Sequence, residues 1–182
     1  MAEYYFISQL PSLDGIGEAT PLPITVERFL ELCSSFLGKK AMAEIEALTL
    51  VPPIDSEPSA SPLIKEWNDG ERNLRIALCK ARADKMNKPY SLQNKNLPAE
   101  LLKVAAAATE IENPLEAEMF LLRHRLGFLE TLRPMDFFSE DYIFYYALKL
   151  RLIVRIRQFD VQLGKTVYKD IYNSTLNGDM EA

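Results

Sequence analysis

The single histidine, His124, lies between Arg123 and Arg125 in a segment with helical spacing. A histidine near neutral pH can act as a general base or as a metal ligand, but either role requires a second chemical group beside it. No cysteine or carboxylate motif accompanies this one. We therefore interpret His124 as a structural residue at or just below the surface.

Three pairs of glutamates are spaced at i and i+2 along the chain. On a helix this spacing directs the two carboxylates to different sides, which is a poor geometry for shared acid–base work. The pairs are Glu44 and Glu46, Glu110 and Glu112, and Glu116 and Glu118. None of them predicts a catalytic site.

Other signatures of catalysis or cofactor binding are missing from the sequence. It has no GxxxxGK[ST] phosphate-binding loop, no GxGxxG dinucleotide-binding turn after a strand and no HExxH zinc motif. The usual sequence signatures of nucleotide and metal sites are therefore missing. Cys33 and Cys79 stand alone in helical patterns, which favours a reducing compartment over a disulfide or a zinc site. We expect a protein that is not an enzyme and has no catalytic residues, cofactor or metal.

The charges of the chain are unevenly distributed. The net charge is −5, with 26 acidic and 21 basic side chains, and this balance argues against nucleic-acid binding, which gains affinity from a basic footprint. Residues 1–66 carry 10 acidic and 4 basic side chains, whereas residues 147–172 carry 6 basic and 2 acidic ones. Such blocks are typical of solvated faces, and the alternative is polarity toward a partner.

The sequence also predicts where the protein resides. The segment MAEYY at the start lacks the basic region and apolar run of a signal peptide. The most apolar stretch, residues 142–156, is interrupted by Lys149, Arg151 and Arg155, so no transmembrane helix is expected. We predict a soluble cytoplasmic protein without direct membrane insertion.

The residues from Ser139 to Asn177 predict one extended helix or two collinear ones. Ser139 is a plausible N-cap, Gly164 is the internal breaker, and Gly178 marks the end. One face at helical spacing contains Ile143, Ala147, Leu150, Val154 and Val161, and nearly opposite lie Leu148, Leu152, Phe159 and Leu163. Two apolar faces require two layers of neighbours, so we expect this helix at the centre of the protein.

The other helices are predicted from caps and periodicity. They run from an N-cap at Thr25 to about Leu37, from Lys39 to Leu50, from Ser61 and Pro62 to about Met86, from Pro98 to about Ile111, and from Asn113 and Pro114 to Leu132. We expect the first two to form a hairpin, residues 52–62 to be an exposed linker, and residues 68–70 to kink or divide the third helix. Residues 4–10 fit a strand or a helix. The fold class is therefore all-α, a bundle of six or seven helices around a long central C-terminal helix.

An internal similarity relates two of these helices. Leu74-Arg75-Ile76 with Asp84 matches Leu150-Arg151-Leu152 with Asp160 at an offset of 76 residues. Two explanations remain open, chance and a duplicated helical unit, and the second would make the fold two related helical repeats. We treat residues 1–182 as a single helical domain, with a division into lobes 1–96 and 97–182 as the alternative.

Several segments together resemble a known family. EYYFISQLPSL at residues 3–13, PIT at 23–25 and the helix with Phe29, Leu30 and Cys33 resemble a bacterial family encoded within V-type ATPase operons. ERNLR at 71–75 is similar to the E-x-N-L-R helix of the ATPase subunit called C in bacteria and archaea and d in eukaryotes. Leu150-Arg151-Leu152 with Phe159-Asp160 is similar to a second appearance of that helix.

The resemblance implies an all-helical, non-catalytic structural, coupling or accessory component of a V-type ATPase. That subunit joins the central stalk to the membrane rotor ring, so the implied partners are stalk or ring subunits, at the inner face of the membrane through protein contacts. This chain is much shorter than the subunit, which fits a reduced version or an accessory factor. The alternative is a free-standing cytoplasmic helical adaptor with an unrelated partner.

Aromatic residues cluster where the long C-terminal helix begins. Phe137, Phe138, Tyr142, Phe144, Tyr145 and Tyr146 fit core packing, and a docking surface is the second interpretation, because tyrosine and arginine are enriched at interface hot spots. The candidate partner-binding residues are Tyr145, Tyr146, Arg151, Arg155 and Arg157.

Overall fold

A computed structural model describes residues 2–16, 20–53, 59–90, 97–159 and 161–178. These residues form eight α-helices and no strand. The helices are α1 Ala2–Gln9, α2 Val26–Phe36, α3 Lys39–Ala47, α4 Pro62–Lys85, α5 Ala99–Glu110, α6 Pro114–Thr131, α7 Glu140–Arg157 and α8 Val161–Gly178. The predicted all-α class is confirmed, with eight helices instead of six or seven.

Four helices begin at the polar caps that the sequence predicts. The side chains of Thr25, Ser61 and Ser139 accept hydrogen bonds from the backbone N–H three residues later, at 3.2, 3.2 and 3.3 Å. Asn113 accepts from the N–H of Leu115 at 3.0 Å. Each bond satisfies a donor that the first helical turn leaves without an intrahelical acceptor.

The first three helices differ from expectation in detail. Residues 4–9 lie in α1, so of the two alternatives for residues 4–10, a strand or a helix, the helix is correct. The helix α3, predicted from Lys39 to Leu50, ends at Ala47 because the chain becomes extended at Leu48. The predicted hairpin of α2 and α3 is not the main contact of either helix: α2 packs on α1 and α7, and α3 packs on α7.

Residues 68–70 do not divide α4, which continues from Pro62 to Lys85. Gly70 instead permits a close helix contact, because a Cβ atom placed there would lie 2.3 Å from Cε1 of Phe128 on α6. The Phe128 ring also stacks on Trp67, with 6.2 Å between ring centroids. The glycine is therefore explained by packing and not by a break in the helix.

The long C-terminal stretch is two helices, and the break does not fall at the predicted glycine. The first of them, α7, ends at Arg157, and the N–H of Phe159 donates to the carbonyl of Ile156 at 3.4 Å, which tightens the final turn. Gly164 lies inside α8, and Gly178 is its last residue. Asp160, which the internal similarity included, is outside the described residues.

The helix α7 packs against several others. It contacts α2, α3, α4 and α6, and every residue from Ile143 to Leu150 is buried. The larger hydrophobic cluster includes Phe6, Phe29, Trp67 and much of α7, and a smaller one joins α4, α5 and α6. Both clusters draw residues from either side of position 96. None of the described helices is long and apolar enough to cross a membrane.

Candidate interaction surface

Tyr145 and Tyr146, two of the predicted partner-binding residues, lie in the core. Their side chains are 2% and 3% exposed. Tyr146 stacks on Phe29 and donates its hydroxyl proton to the carbonyl of Pro11 at 2.8 Å. The hypothesis that these tyrosines form a docking surface is wrong, because α7 is covered by neighbours on the sides where they lie.

Lys149 is the buried centre of a polar network whose two carboxylates, Asp14 and Glu130, reach the surface. Its ammonium group lies 2.5 Å from Oδ1 of Asp14 and 2.7 Å from Oε1 of Glu130, and it donates to the hydroxyl of Tyr145 at 3.2 Å. Tyr145 in turn donates to Oε2 of Glu130 at 2.8 Å. The network joins α7 to the end of α6 and to the segment after α1, which are far apart in sequence.

The pKa values of this network indicate a structural role. Burial acts to lower the pKa of Lys149, but its bonds to Asp14, Glu130 and Tyr145 raise it above the ordinary value. Burial, and then the bond to Glu130, raise the pKa of Tyr145 to about 12. The hydrogen bond from Lys149 lowers the pKa of Asp14. A lysine that holds its proton so firmly is a poor nucleophile or general base.

Arg151, the third predicted partner-binding residue, is bonded inside the protein. Its guanidinium donates to the carbonyl of Ile45 at 3.0 Å and also to the carbonyl of Leu48. These carbonyls belong to the end of α3, where backbone acceptors lack intrahelical donors, so Arg151 caps α3 from another helix. Burial lowers its pKa. Arg151 therefore stabilises the fold and is poorly placed to bind a partner.

Arg155 and Arg157 are nearer the surface at the end of α7. Arg155 is exposed, lies 4.8 Å above the ring of Phe159 and donates to Oε1 of Gln158 at 3.3 Å. Arg157 is partly buried and donates to the carbonyl of Thr20. Of the five predicted residues, Arg155 is thus the one with an exposed side chain.

The ERNLR helix, residues 71–75 of α4, uses its charged groups for internal bonds. Glu71 is 2% exposed and accepts two hydrogen bonds from Arg125 of α6, at 2.9 and 2.8 Å. Arg75 donates to the carbonyl of Pro52 at 3.0 Å. Pro52 is buried, so the predicted exposed linker begins inside the protein. This helix therefore organises the fold, and its motif presents no reactive group.

The remaining candidates for chemistry stay separated. His124 is half-buried, and burial followed by the charge of Arg125 lowers its pKa, so it is neutral near pH 7. Glu44 accepts from Ser59 at 2.9 Å, while Glu46 is exposed. Among the described residues, no group of three or more histidine, cysteine, aspartate or glutamate side chains could hold a metal ion. Cys33 is buried and Cys79 is exposed, and both are free thiols.

An exposed apolar feature within the basic segment lies on α8, and sequence reasoning did not single it out. Val167, Tyr168, Ile171 and Tyr172 are all exposed, and we call them the α8 face. Tyr168 and Tyr172 stack one turn apart, with 6.2 Å between ring centroids. None of the extensive contacts between described helices involves α8. The spacing of these four residues at i, i+1, i+4 and i+5 is the signal that could have found them.

Lysines accompany the α8 face. Lys165 and Lys169 are exposed on the same helix, and Arg155 is exposed near the end of α7. An apolar stripe with cations beside it can bind an acidic, amphipathic protein surface, with the charges contributing mainly to orientation and association rate.

No family model matches the chain, and searches of curated proteins and of solved structures find no match either.

Proposed function

We propose that this protein is a non-catalytic structural, coupling or accessory component of a V-type ATPase, similar in role to the subunit that links the central stalk to the membrane rotor ring. The single observation that carries the proposal is the exposed α8 face, whose four described side chains lie on a helix that takes part in none of the extensive contacts between the described helices. The link to the ATPase comes from the resemblance of residues 3–13, 71–75 and 150–152 to that family.

Contiguous exposed apolar residues on a folded protein mark sites of protein contact more often than isolated ones do. The α8 face contains two tyrosines, a residue that is enriched at interface hot spots. Because Lys165 and Lys169 are exposed on the same helix and Arg155 is exposed near the end of α7, the partner we propose is an acidic surface of a stalk or ring subunit. The protein would then be held at the inner face of the membrane by protein contacts.

We also propose that α7 is the central helix of the bundle and that α4 and α7 are related repeats. Leu74 and Leu150, which occupy matched positions, are both buried. The arginine after each leucine donates to backbone carbonyls near the end of α3 or in the connection that follows it: Arg75 to Pro52, and Arg151 to Ile45 and Leu48. A shared use of matched residues supports a duplicated unit over coincidence.

The test is recovery of partners with the tagged protein from cells that express a V-type ATPase, in mild detergent. We expect stalk or ring subunits to co-purify, and Tyr168→Asp to reduce their recovery at least tenfold, because it places a charge in the apolar contact. Asn173→Asp, which adds the same charge on the opposite side of α8, is the matched control and should leave recovery unchanged. Arg155→Glu should weaken recovery without lowering the melting temperature.

Two results would count against this function. Recovery of unrelated proteins without ATPase subunits would favour the free-standing adaptor. Intact ATPase with unimpaired ATP-driven pumping in cells that lack the gene would exclude a coupling role.

A further inference from the structure

A second exposed apolar surface lies at the other end of α7. It is formed by Tyr4 of α1 and by Met135, Phe137 and Phe138 of the connection before α7, and we call it the aromatic surface. Of the twelve exposed large apolar side chains among the described residues, eight belong either to this surface or to the α8 face. The exposed apolar side chains are thus concentrated in two places.

The aromatic surface is held in position from below. The rings of Tyr4 and Phe138 stack with 4.3 Å between centroids, and Phe137 meets the edge of the half-buried Tyr142 at 5.5 Å. Asp136 fixes the connection, because its carboxylate accepts from the N–H of Phe138 at 2.9 Å. A rigid set of rings loses little conformational entropy when a partner covers it.

The two surfaces have complementary charges. Asp136 and Glu140 are exposed beside the aromatic surface, whereas Lys165, Lys169 and one carboxylate, Asp170, are exposed beside the α8 face, which leaves the α8 side with a net positive charge. Arg133 also lies at the aromatic surface, but it is paired with Asp14 at 3.6 Å. An apolar helix face flanked by lysines therefore matches the aromatic surface in apolar character and is opposite to it in charge.

One copy of the chain does not join its own two surfaces. Both surfaces are exposed in the same structure, and none of the extensive contacts between described helices joins α8 to α1 or to α7. A second copy can join them. If the α8 face of each copy packs on the aromatic surface of the other, a two-fold arrangement covers all four surfaces and closes without forming a filament.

We propose that the protein forms such a reciprocal homodimer, in which the α8 face of one copy binds the aromatic surface of the second. The inference uses the same α8 face as the proposed function, so a dimer partner and an ATPase subunit compete for that face. It does not depend on the ATPase being the partner, because it rests on surfaces of this chain alone.

The first test measures the mass of the purified full chain by sedimentation over a wide range of concentrations. We expect a dimer whose dissociation constant rises at least tenfold in Tyr168→Asp and also in Phe138→Asp. Asn173→Asp and Tyr90→Asp, which alter exposed residues outside the two surfaces, should dimerise like the parent. Met135→Asp is a second variant of the aromatic surface, and since Met135 is 97% exposed, it leaves the fold intact.

The second test mixes the two defective variants. Tyr168→Asp retains an intact aromatic surface and Phe138→Asp retains an intact α8 face, so the mixture should form a heterodimer more strongly than either variant forms a homodimer. Carbodiimide, which joins amines to carboxylates in direct contact, should link Lys165 or Lys169 of one isotopically labelled copy to Asp136 or Glu140 of the other.

Three outcomes would overturn the inference. A monomer at every concentration shows that no second copy binds. A dimer that is lost in Tyr168→Asp but kept in Phe138→Asp and Met135→Asp shows that two α8 helices pair with each other. A dimer that survives all three substitutions lies elsewhere on the protein. Because Phe138→Asp leaves the α8 face unchanged, it should still recover ATPase subunits, and the two proposals therefore fail independently.

Discussion

The two consecutive helices α7 and α8 have equal lengths, 18 residues each, and opposite relations to the rest of the protein. On α7, eight consecutive residues are buried, and four other helices contact it. On α8, the described side chains from Lys165 to Asn173 are all exposed. A helix with two apolar faces is thus enclosed by the bundle, whereas one with a single apolar stripe is available to another protein.

The cations of the two helices differ in the same way. Lys149 and Arg151 of α7 bond to acceptors of this chain, so each stabilises a junction between distant segments. Lys165 and Lys169 of α8 face solvent. The basic segment at residues 147–172 therefore contains two sets of charges. Lys149 and Arg151 bond within the chain, whereas Arg155, Lys165 and Lys169 are exposed and can contact a partner.

The same kind of substitution in each helix tests this comparison most severely. Leu150→Asp buries an unpaired carboxylate in the core, where Leu150 is 1% exposed, and should cost about 4 kcal/mol or more of the free energy of unfolding. Tyr168→Asp on the α8 face should leave that free energy within about 0.5 kcal/mol of the parent, since exposed positions tolerate such changes. Urea unfolding monitored by circular dichroism, at a concentration where both proteins are monomeric, provides the measurement.

A Leu150→Asp protein that unfolds at the parent's urea concentration would contradict the enclosure of α7. A large loss in monomeric Tyr168→Asp would show that α8 packs on its own bundle. Val154→Asp should fall between these extremes, because Val154 is only partly buried.

Local features of the fold could be predicted from the sequence. Thr25, Ser61, Asn113 and Ser139 each cap a helix where expected, because a cap depends on residues within one helical turn. The all-α class follows from periodicity in the same local way. Neither depends on which helices become neighbours.

Features that depend on distant contacts could not be predicted. Lys149 is one helical turn after Tyr145, but nothing near Tyr145 in sequence indicates that Glu130 of another helix will accept its hydroxyl proton in the core, so an interfacial role was a reasonable hypothesis. Gly70 likewise predicted a break in the helix, whereas the structure shows that it makes room for the ring of Phe128. The candidate site changed for the same reason. The sequence suggested Arg155, and it gave docking as the second interpretation of Phe137 and Phe138, whereas the α8 face and the parts played by Tyr4 and Met135 were recognised only from the burial of the other apolar residues.

A pair of glycine substitutions tests the tight packing against α4. Gly70→Ala places a methyl group 2.3 Å from the Phe128 ring, so the ring must move, and we expect a loss of about 1–3 kcal/mol in the free energy of unfolding. Gly127→Ala is the control on α6, where no atom lies within 4 Å of the added Cβ, and it should stabilise by up to about 1 kcal/mol through helix propensity. Equal effects of the two changes would show that Phe128 has room to yield.

The smallest expected effect concerns pH and the network around Lys149. In the folded protein the pKa of Tyr145 is about 12, above its ordinary value of 10.0, and the pKa of Lys149 is also raised. As pH rises above about 10, the unfolded chain gives up these protons while the folded chain keeps them. The unfolded state then binds fewer protons than the folded state, so the free energy of unfolding falls with rising pH. Cys33, whose pKa burial raises to about 12, acts in the same direction.

Tyr145→Phe removes one of these groups and leaves the others in place. We expect it to cost about 1 kcal/mol at pH 7, because the bond to Glu130 is lost. Between pH 10 and 12 its free energy of unfolding should decline less steeply than the parent's, by up to about 1.4 kcal/mol per pH unit, which corresponds to one proton. Tyr168→Phe on the exposed α8 face is the matched control and should decline like the parent. The free energy of unfolding of both variants is measured by urea titration across this pH range. If its slope against pH were the same for Tyr145→Phe and Tyr168→Phe, the Tyr145 hydroxyl would not be bonded as the structure shows. The contrast between the enclosed α7 and the exposed α8 would then not extend to their tyrosines.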